Sequence, residues 1–422
     1  MKKKLALFLT GVIVLSLLGC GRTQTTADVP TQDETVSDTD DTDTTETVTD
    51  TDQETQPGTE TSSDPKEEAA QEDPLSQYKL RELFASHGMK VGTCLTTRMF
   101  KTKKSSEFLT SQFSSVTMEN AMKPDSILDK KASQESGDLV VSFGADMIKM
   151  LDWAKENNMA MRGHTLVWHS QTPEWIFYED FDTKKALVSR DVMLARLTSY
   201  IKQVFEKLEE GGYLELFYAY DVANECWMED GSMRDSKWKQ TIGDDYLWQT
   251  FNIANQYAPE SVDLYYNDYN EQFKTETLVN FVNTLVDENG NYLIDGVGFQ
   301  AHLYTSDDLD EYFQTVDALA ATGLKVEITE LDVCLGKYQG YLPDTEENLQ
   351  EQGRYYYNLI QGIFQRVDAG TLNMDALTFW GYSDSMSWRS EAHPLLLNAL
   401  NQPKYAFYGA MQIREKAGFT EE

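Results

Sequence analysis

From residue 75 onward the chain alternates two kinds of hydrophobic pattern. Short apolar runs predict strands at 90–94, 115–117, 160–165, 219–224, 264–267, 296–300, 325–330 and 376–380. Between them lie stretches whose apolar residues recur at helical spacing. These predict helices at 147–157, 187–208, 247–257, 276–288, 309–322 and 348–369. Eight strands, mostly separated by helices, predict an α/β fold: a (β/α)8 TIM barrel over residues 75–422. That length leaves room for long loops after the strands. No internal repeat is visible.

Before residue 75 the pattern vanishes. Residues 21–74 hold no aromatic side chain, and 21–73 carry 17 Asp or Glu against Arg22 and Lys66. Such a segment buries too little apolar surface to offset the entropy of ordering, so it is expected to be disordered. Like charges should also extend it. The first residues read differently. Lys2, Lys3 and Lys4 precede a short apolar run from Leu5 to Leu18, too short to span a bilayer comfortably. The run ends in Leu17-Leu18-Gly19-Cys20, which resembles the lipobox of bacterial lipoproteins. That resemblance implies a signal peptide at 1–19, cleavage before Cys20 and acylation of Cys20. Residues 20–74 would then tether the barrel to a membrane surface, outside the cell. An ordinary secretory signal or an uncleaved anchor is the alternative.

The formal net charge of −34 disfavours nucleic acid as a partner, because phosphates repel such a surface. Beyond Cys20 the chain has Cys94, Cys226 and Cys334. An odd number cannot all pair, and the spacing matches no zinc site. They are read as buried thiols, and neither metal nor cofactor is expected.

In a barrel of this kind the chemistry gathers at the C-terminal ends of the strands. The fourth expected strand ends at Asn224-Glu225, and the seventh at Thr329-Glu330. Each tip therefore carries a carboxylate, and the two can face each other across a groove. Glycosidic cleavage needs such a pair. One carboxyl must donate a proton to the leaving oxygen, and the other must attack or stabilise the anomeric carbon as a carboxylate. Proximity of two like charges raises one of the two pKa values, which helps keep the acid protonated.

These strand ends resemble the xylanases of glycoside hydrolase family 10, and other stretches carry the same resemblance. They are 116–123 (Val-Thr-Met-Glu-Asn-Ala-Met-Lys), 162–171 (Arg-Gly-His-Thr-Leu-Val-Trp-His-Ser-Gln), 298–303 (Gly-Phe-Gln-Ala-His-Leu), and 378–381 (Thr-Phe-Trp-Gly) with Asp384 and Trp388. The resemblance runs from about residue 75 to the end. It implies an endo-1,4-β-xylanase that retains configuration through a covalent glycosyl-enzyme, with carboxyls about 5–5.5 Å apart. Glu225 would be the acid/base and Glu330 the nucleophile. His302 would bond to the nucleophile and keep it ionised. Asn224 would bind the 2-hydroxyl of the sugar being attacked. Gln300 and Asp332 would hold this network in place.

Glu119, Asn120, Lys123, His164, Trp168, His169 and Gln171 would line the glycone side, where sugar hydroxyls need paired donors and acceptors. Trp380 and Trp388 would offer flat faces to pyranose rings. Tyr269, in the fifth-strand motif Asn267-Asp268-Tyr269-Asn270, would reach the cleft. The implied partner is xylan or xylo-oligosaccharide, acted on by a monomer, with no carbohydrate-binding module alongside.

Some positions depart from the family pattern: Met118, Ala121, Pro124, Ala223 and Cys226. None removes a catalytic group, but Pro124 leaves the shape of the glycone subsites open. Two other readings remain at this point. One is a cellulase or mixed-linkage glucanase on a related barrel. The other is a surface glycan-binding lipoprotein without catalysis, which need not keep both carboxylates.

Overall fold

The computed structural model describes residues 74–420. The expected signal peptide, Cys20 and the acidic segment up to residue 73 lie outside the described residues. The first described element is a short helical turn, Pro74–Gln77.

Eight parallel strands close into a ring. They are β1 (Lys90–Leu95), β2 (Ser115–Met118), β3 (Ala160–Gly163), β4 (Phe217–Asn224), β5 (Asp263–Asp268), β6 (Gly296–Phe299), β7 (Lys325–Cys334) and β8 (Ala376–Phe379). Each pairs with the next, and β8 pairs with both β7 and β1, which completes a (β/α)8 barrel. Strands β2, β6 and β8 are buried at every position. Both faces are covered, so even the polar Ser115, Thr117 and Thr378 are enclosed.

Outside the ring the helices bury one stripe each. Arg190–Glu210 turns Met193, Leu197, Tyr200, Ile201, Val204 and Leu208 inward. Glu346–Asp368 starts at Thr345, whose side chain accepts the N–H of Asn348 as a cap. The helix expected at 276–288 stops at Val282, because Val286 instead pairs with Tyr292 across a turn. Among the described residues no helix is long and apolar enough to cross a membrane.

The barrel interior is partly ionic. Arg162 on β3 donates to Glu327 on β7 at 2.6 Å and pairs with Asp221 on β4. Asp221 also meets His164 Nδ1 at 2.9 Å. Burial pushes the Glu327 carboxyl up to about 7, with Arg162 opposing that rise. Removing one partner from such a dry cluster costs about 3–5 kcal/mol. The cluster therefore fixes the relative placement of β3, β4 and β7 directly beneath the strand tips.

Two short strands lift the rim above the ring. Val167–Trp168 pairs with Ala223 and Asn224 of β4, after a cis peptide between His164 and Thr165. His302–Tyr304 pairs with Asp332, Val333 and Cys334 at the end of β7. Strand β7 thus runs four residues beyond its expected end at Glu330, and carries Asp332 past the nucleophile candidate.

Candidate active site

Glu225 follows the last residue of β4 in a left-handed conformation, with φ at 54°. That conformation costs a non-glycine residue about 1–2 kcal/mol. Two backbone bonds hold it there. Its N–H donates to the Asn267 carbonyl at 2.9 Å, and its own carbonyl accepts from Arg234 Nε at 2.9 Å. Arg234 also donates to the Tyr269 hydroxyl at 3.1 Å. The turn swings the Glu225 side chain over the barrel mouth. There Oε1 accepts from Gln300 Nε2 at 2.9 Å, and Oε2 lies 4.0 Å from His169 Nδ1. Burial pushes His169 down to about 4; Glu225 opposes the shift and Arg234 adds to it. His169 is therefore neutral at ordinary pH.

Glu330 is buried on β7. Its Oε1 accepts from Asn267 Nδ2 at 2.8 Å, and His302 Nε2 lies 3.3 Å from Oε2. Burial alone would raise this carboxyl. The hydrogen bond from His302 and the positive fields of His164, His302 and Lys123 outweigh it and hold the group down at about 2. His302 is the counterpart. Burial would lower it, but Asp332 and Glu330 raise it to about 9. Asp332 lies 3.1 Å from His302 Nδ1, an ion-pair approach off the axis of a hydrogen bond. Asp332 also accepts from Arg389 Nη1 at 2.6 Å and from the Trp388 indole at 3.2 Å. Burial pushes Asp332 up, and His302 and Arg389 more than reverse that.

Strands β4 and β7 are not neighbours, since β5 and β6 stand between them. Side-chain amides from those two strands span the gap. Asn267 on β5 accepts from the Thr329 hydroxyl at 2.6 Å, so its NH2 faces Glu330 and the Asn224 carbonyl oxygen, the latter at 2.9 Å. Gln300, just past β6, donates to Glu225 and lies 3.3 Å from the same Asn224 oxygen. The Asn224 NH2 is then 3.4 Å from Glu225. Turned over, the Asn224 oxygen could accept the Trp168 indole N–H at 3.3 Å, but its NH2 would then oppose the NH2 of Asn267. Donor-to-donor contact disfavours that orientation. Gly298 makes room for this chain, because a Cβ there would collide with the Asn267 oxygen.

The rim above β2 and β3 forms a second polar group. Lys123 donates to Asn120 Oδ1 at 3.0 Å and to Gln171 Oε1 at 2.6 Å, with its ammonium 4.8 Å from the centre of a Trp168 ring. Gln171 Nε2 donates to Asn120 at 3.2 Å. Burial lowers the Lys123 pKa, and the charges of Glu330, Glu225 and Glu119 resist. Burial raises Glu119, against the pull of Lys123 and Arg98. Pro124 opens the short helix Pro124–Ile127 directly after Lys123, a first-turn position that suits its fixed φ. Trp380 is buried edge-on to His164, with ring centres 5.7 Å apart. Trp388 is 46% exposed and lies edge-on to His302.

The sequence profile of glycosyl hydrolase family 10 matches residues 79–413. The chain belongs to that family. Among its relatives, the bifunctional endo-1,4-β-xylanase XylA of Ruminococcus flavefaciens is 37% identical over 352 residues, which is 80% of this chain and 34% of that one. Endo-1,4-β-xylanase B of Butyrivibrio fibrisolvens is 33% identical over 336 residues, 76% of this chain and 51% of that one. The chain thus spans about a third to a half of the length of these curated relatives. A solved family 10 structure from Clostridium thermocellum, the CBM22-1 and GH10 modules of xylanase 10B with xylohexaose, superposes with a TM-score of 0.71. It is 31% identical, with 81% of this chain and 69% of that chain covered.

The family 10 barrel brings the sequence-derived candidates into two connected groups, around Glu225–Glu330 and around Lys123. Tyr269 joins the first group through Arg234. Three contributors escape sequence reasoning: Asn267, Arg234 and Arg389. Asn267 opens the same four-residue motif as Tyr269, Asn267-Asp268-Tyr269-Asn270. Arg389 had a visible signal, a cation directly after the exposed Trp388. Arg234 follows β4 by ten residues and carries no such mark.

Proposed function

We propose that the protein is a retaining endo-1,4-β-xylanase. One observation carries the reading: two carboxyls at the tips of β4 and β7 joined through Gln300, Asn224 and Asn267, with Glu330 held ionised by His302. Glu330 attacks the anomeric carbon while Glu225 gives its proton to the departing oxygen. The sugar is then held as an ester of Glu330. Glu225, now a carboxylate, takes a proton from water, and the resulting attack releases the sugar with its original configuration. Asn224, fixed by Asn267 and Gln300, presents its NH2 to the 2-hydroxyl, where a bond that tightens in the transition state lowers the barrier. Glu119, Asn120, Lys123, His164, Trp168, His169 and Gln171 bind the glycone half, and Trp380 and Trp388 face the ring planes.

Product analysis on xylan, arabinoxylan and carboxymethylcellulose side by side tests this. Xylo-oligosaccharides of several lengths should appear early from xylan. Release from carboxymethylcellulose alone would sink the proposal in favour of a glucanase.

The N-terminal pattern supports a surface lipoprotein that works outside the cell, tethered through acylated Cys20. Wild-type protein should then follow the detergent phase on partitioning, and the Cys20→Ala variant the aqueous phase. Identical partitioning of the two would overturn the anchor.

A further inference from the structure

Behind the Glu225–Glu330 centre, three buried side chains on and after β5 grip the backbone that follows Glu225. The Cys226 N–H donates to the Tyr266 hydroxyl at 2.9 Å, and that hydroxyl donates to Asp268 Oδ2 at 2.5 Å. Asp268 Oδ1 accepts from Lys274 Nζ at 2.6 Å, and Lys274 returns to the turn by donating to the Trp227 carbonyl at 3.2 Å. The chain therefore starts at the peptide after Glu225 and ends two peptides further on. Tyr266, Asp268 and Lys274 are all buried. The Tyr269 N–H also donates to Asp268 Oδ1, at 2.9 Å, which pins the carboxylate rotamer. The cleavage steps use none of these three groups.

The turn they hold is the one that aims the acid/base candidate. Glu225 sits at φ 54°, and rotating the peptide that follows it would swing the carboxyl across the barrel mouth. Both polar groups of that peptide are held, the carbonyl by Arg234 and the N–H by Tyr266. Further along, the Cys226 carbonyl accepts from the Arg234 N–H at 2.8 Å, and Trp227 pairs with Met233. Arg234 is tied to the same β5 segment through Tyr269, whose ring centre lies 4.3 Å from the Lys274 ammonium. The field of Glu225 reaches back to Asp268. Burial raises the Asp268 carboxyl, Lys274 and Tyr266 oppose that rise, and Glu225 adds to it.

Taking a lysine and an aspartate out of water is costly, and their attraction often does no more than offset that cost. A buried pair bonded to a catalytic turn thus has placement to offer rather than stability. A general acid works only within hydrogen-bond reach of the oxygen it protonates. A displacement of about 1 Å can cost on the order of 10²-fold in rate.

We infer that Tyr266, Asp268 and Lys274 are positioning residues for proton transfer by Glu225. They fix the turn that aims its carboxyl at the leaving oxygen, without meeting the sugar. This rests on Glu225 being the acid/base of the proposed reaction.

Two aryl β-xylobiosides that differ only in leaving group test it. Phenol departs poorly and needs the proton, whereas dinitrophenol departs without it. Tyr266→Phe removes one hydroxyl and keeps the ring. In this variant kcat/KM for the phenyl xylobioside should fall about tenfold, while that for the dinitrophenyl xylobioside stays within about twofold. Lys274→Met should shift the ratio of the two in the same direction. The Tyr266→Phe/Lys274→Met double variant should shift it by less than the product of the single shifts, because both act through Asp268. Lys325→Met is the control. It removes a lysine paired with Asp263 and Asp375 at the opposite end of the barrel strands, and should leave the ratio unchanged. If Lys274→Met does not fold, Tyr266→Phe decides by itself. Equal losses on both substrates, no loss on either, or the same shift in the control would overturn the inference. Aryl cellobiosides with the same two leaving groups run in parallel. If wild type cleaves only these, the xylanase reading falls, and the leaving-group ratio on them decides the positioning role. Cleavage of neither series removes both.

Discussion

Glu330→Gln should stop turnover of xylan and of aryl xylobiosides alike, with kcat reduced on the order of 10⁴-fold or more. The substitution keeps size and planarity but removes the nucleophilic oxygen. It also changes the group's neighbours. The Glu330 carboxylate accepts from Asn267 on one side and faces His302 on the other. An amide can satisfy only one of these donors and turns its own NH2 on the second. His302, held up at about 9 by Asp332 and Glu330, loses one of its two supports and should titrate lower.

The sign of the pH effect follows. Glu330 is depressed to about 2, so its charge stabilises the fold above the ordinary carboxylate range and is lost only as pH falls through about 2. His302 is raised, so its contribution is complete below its ordinary value and disappears as pH climbs through about 9. The nucleophile should thus remain ionised across the whole working range. Steady-state rates and unfolding midpoints for wild type and variant, side by side, check this. Retained xylan turnover in a folded Glu330→Gln protein would remove Glu330 from the nucleophile role.

Glu225→Ala should behave differently. Xylan has a poor leaving group that needs the proton, so turnover should fall about 10²–10⁴-fold. Aryl xylobiosides with good leaving groups need no proton to form the covalent intermediate. They should therefore show a rapid first release of phenol, followed by stalling while water waits for a base. Azide needs no base and should restore turnover, leaving a β-xylobiosyl azide as product. The fold should tolerate the change. Alanine pays about the same left-handed cost at this position, and the two backbone bonds to Asn267 and Arg234 do not involve the side chain. Absence of azide rescue in the folded variant would mean that the acid/base lies elsewhere.

The barrel was legible because its strands are buried on both faces. Each of the eight runs coincides with a strand, with ends displaced by a few residues at most. Short polar helices were not legible. Lys103–Gln112 buries only Leu109 and Gln112, and is set by a capping box between Thr102 and Ser105 rather than by an apolar stripe. At the site, motif residues on strand tips could be named because the fold dictates where tips point. Residues that act across long sequence gaps could not. Arg389 reaches Asp332 over 57 positions, and Asn267 reaches Glu330 over 63. Only the closed ring makes them neighbours.

Cys94, Cys226 and Cys334 are free and buried in this ring. Burial, the leading cause at each, pushes all three thiols up, Cys226 to about 12 with the carboxylates of Asp268 and Glu225 adding to the rise. As neutral thiols out of reach of solvent they are poor nucleophiles. Each is thus a silent chemical clock. An alkylating reagent can label it only when the surrounding barrel segment opens, so the three labelling rates would time the opening of β1, the β4 tip and the end of β7 separately.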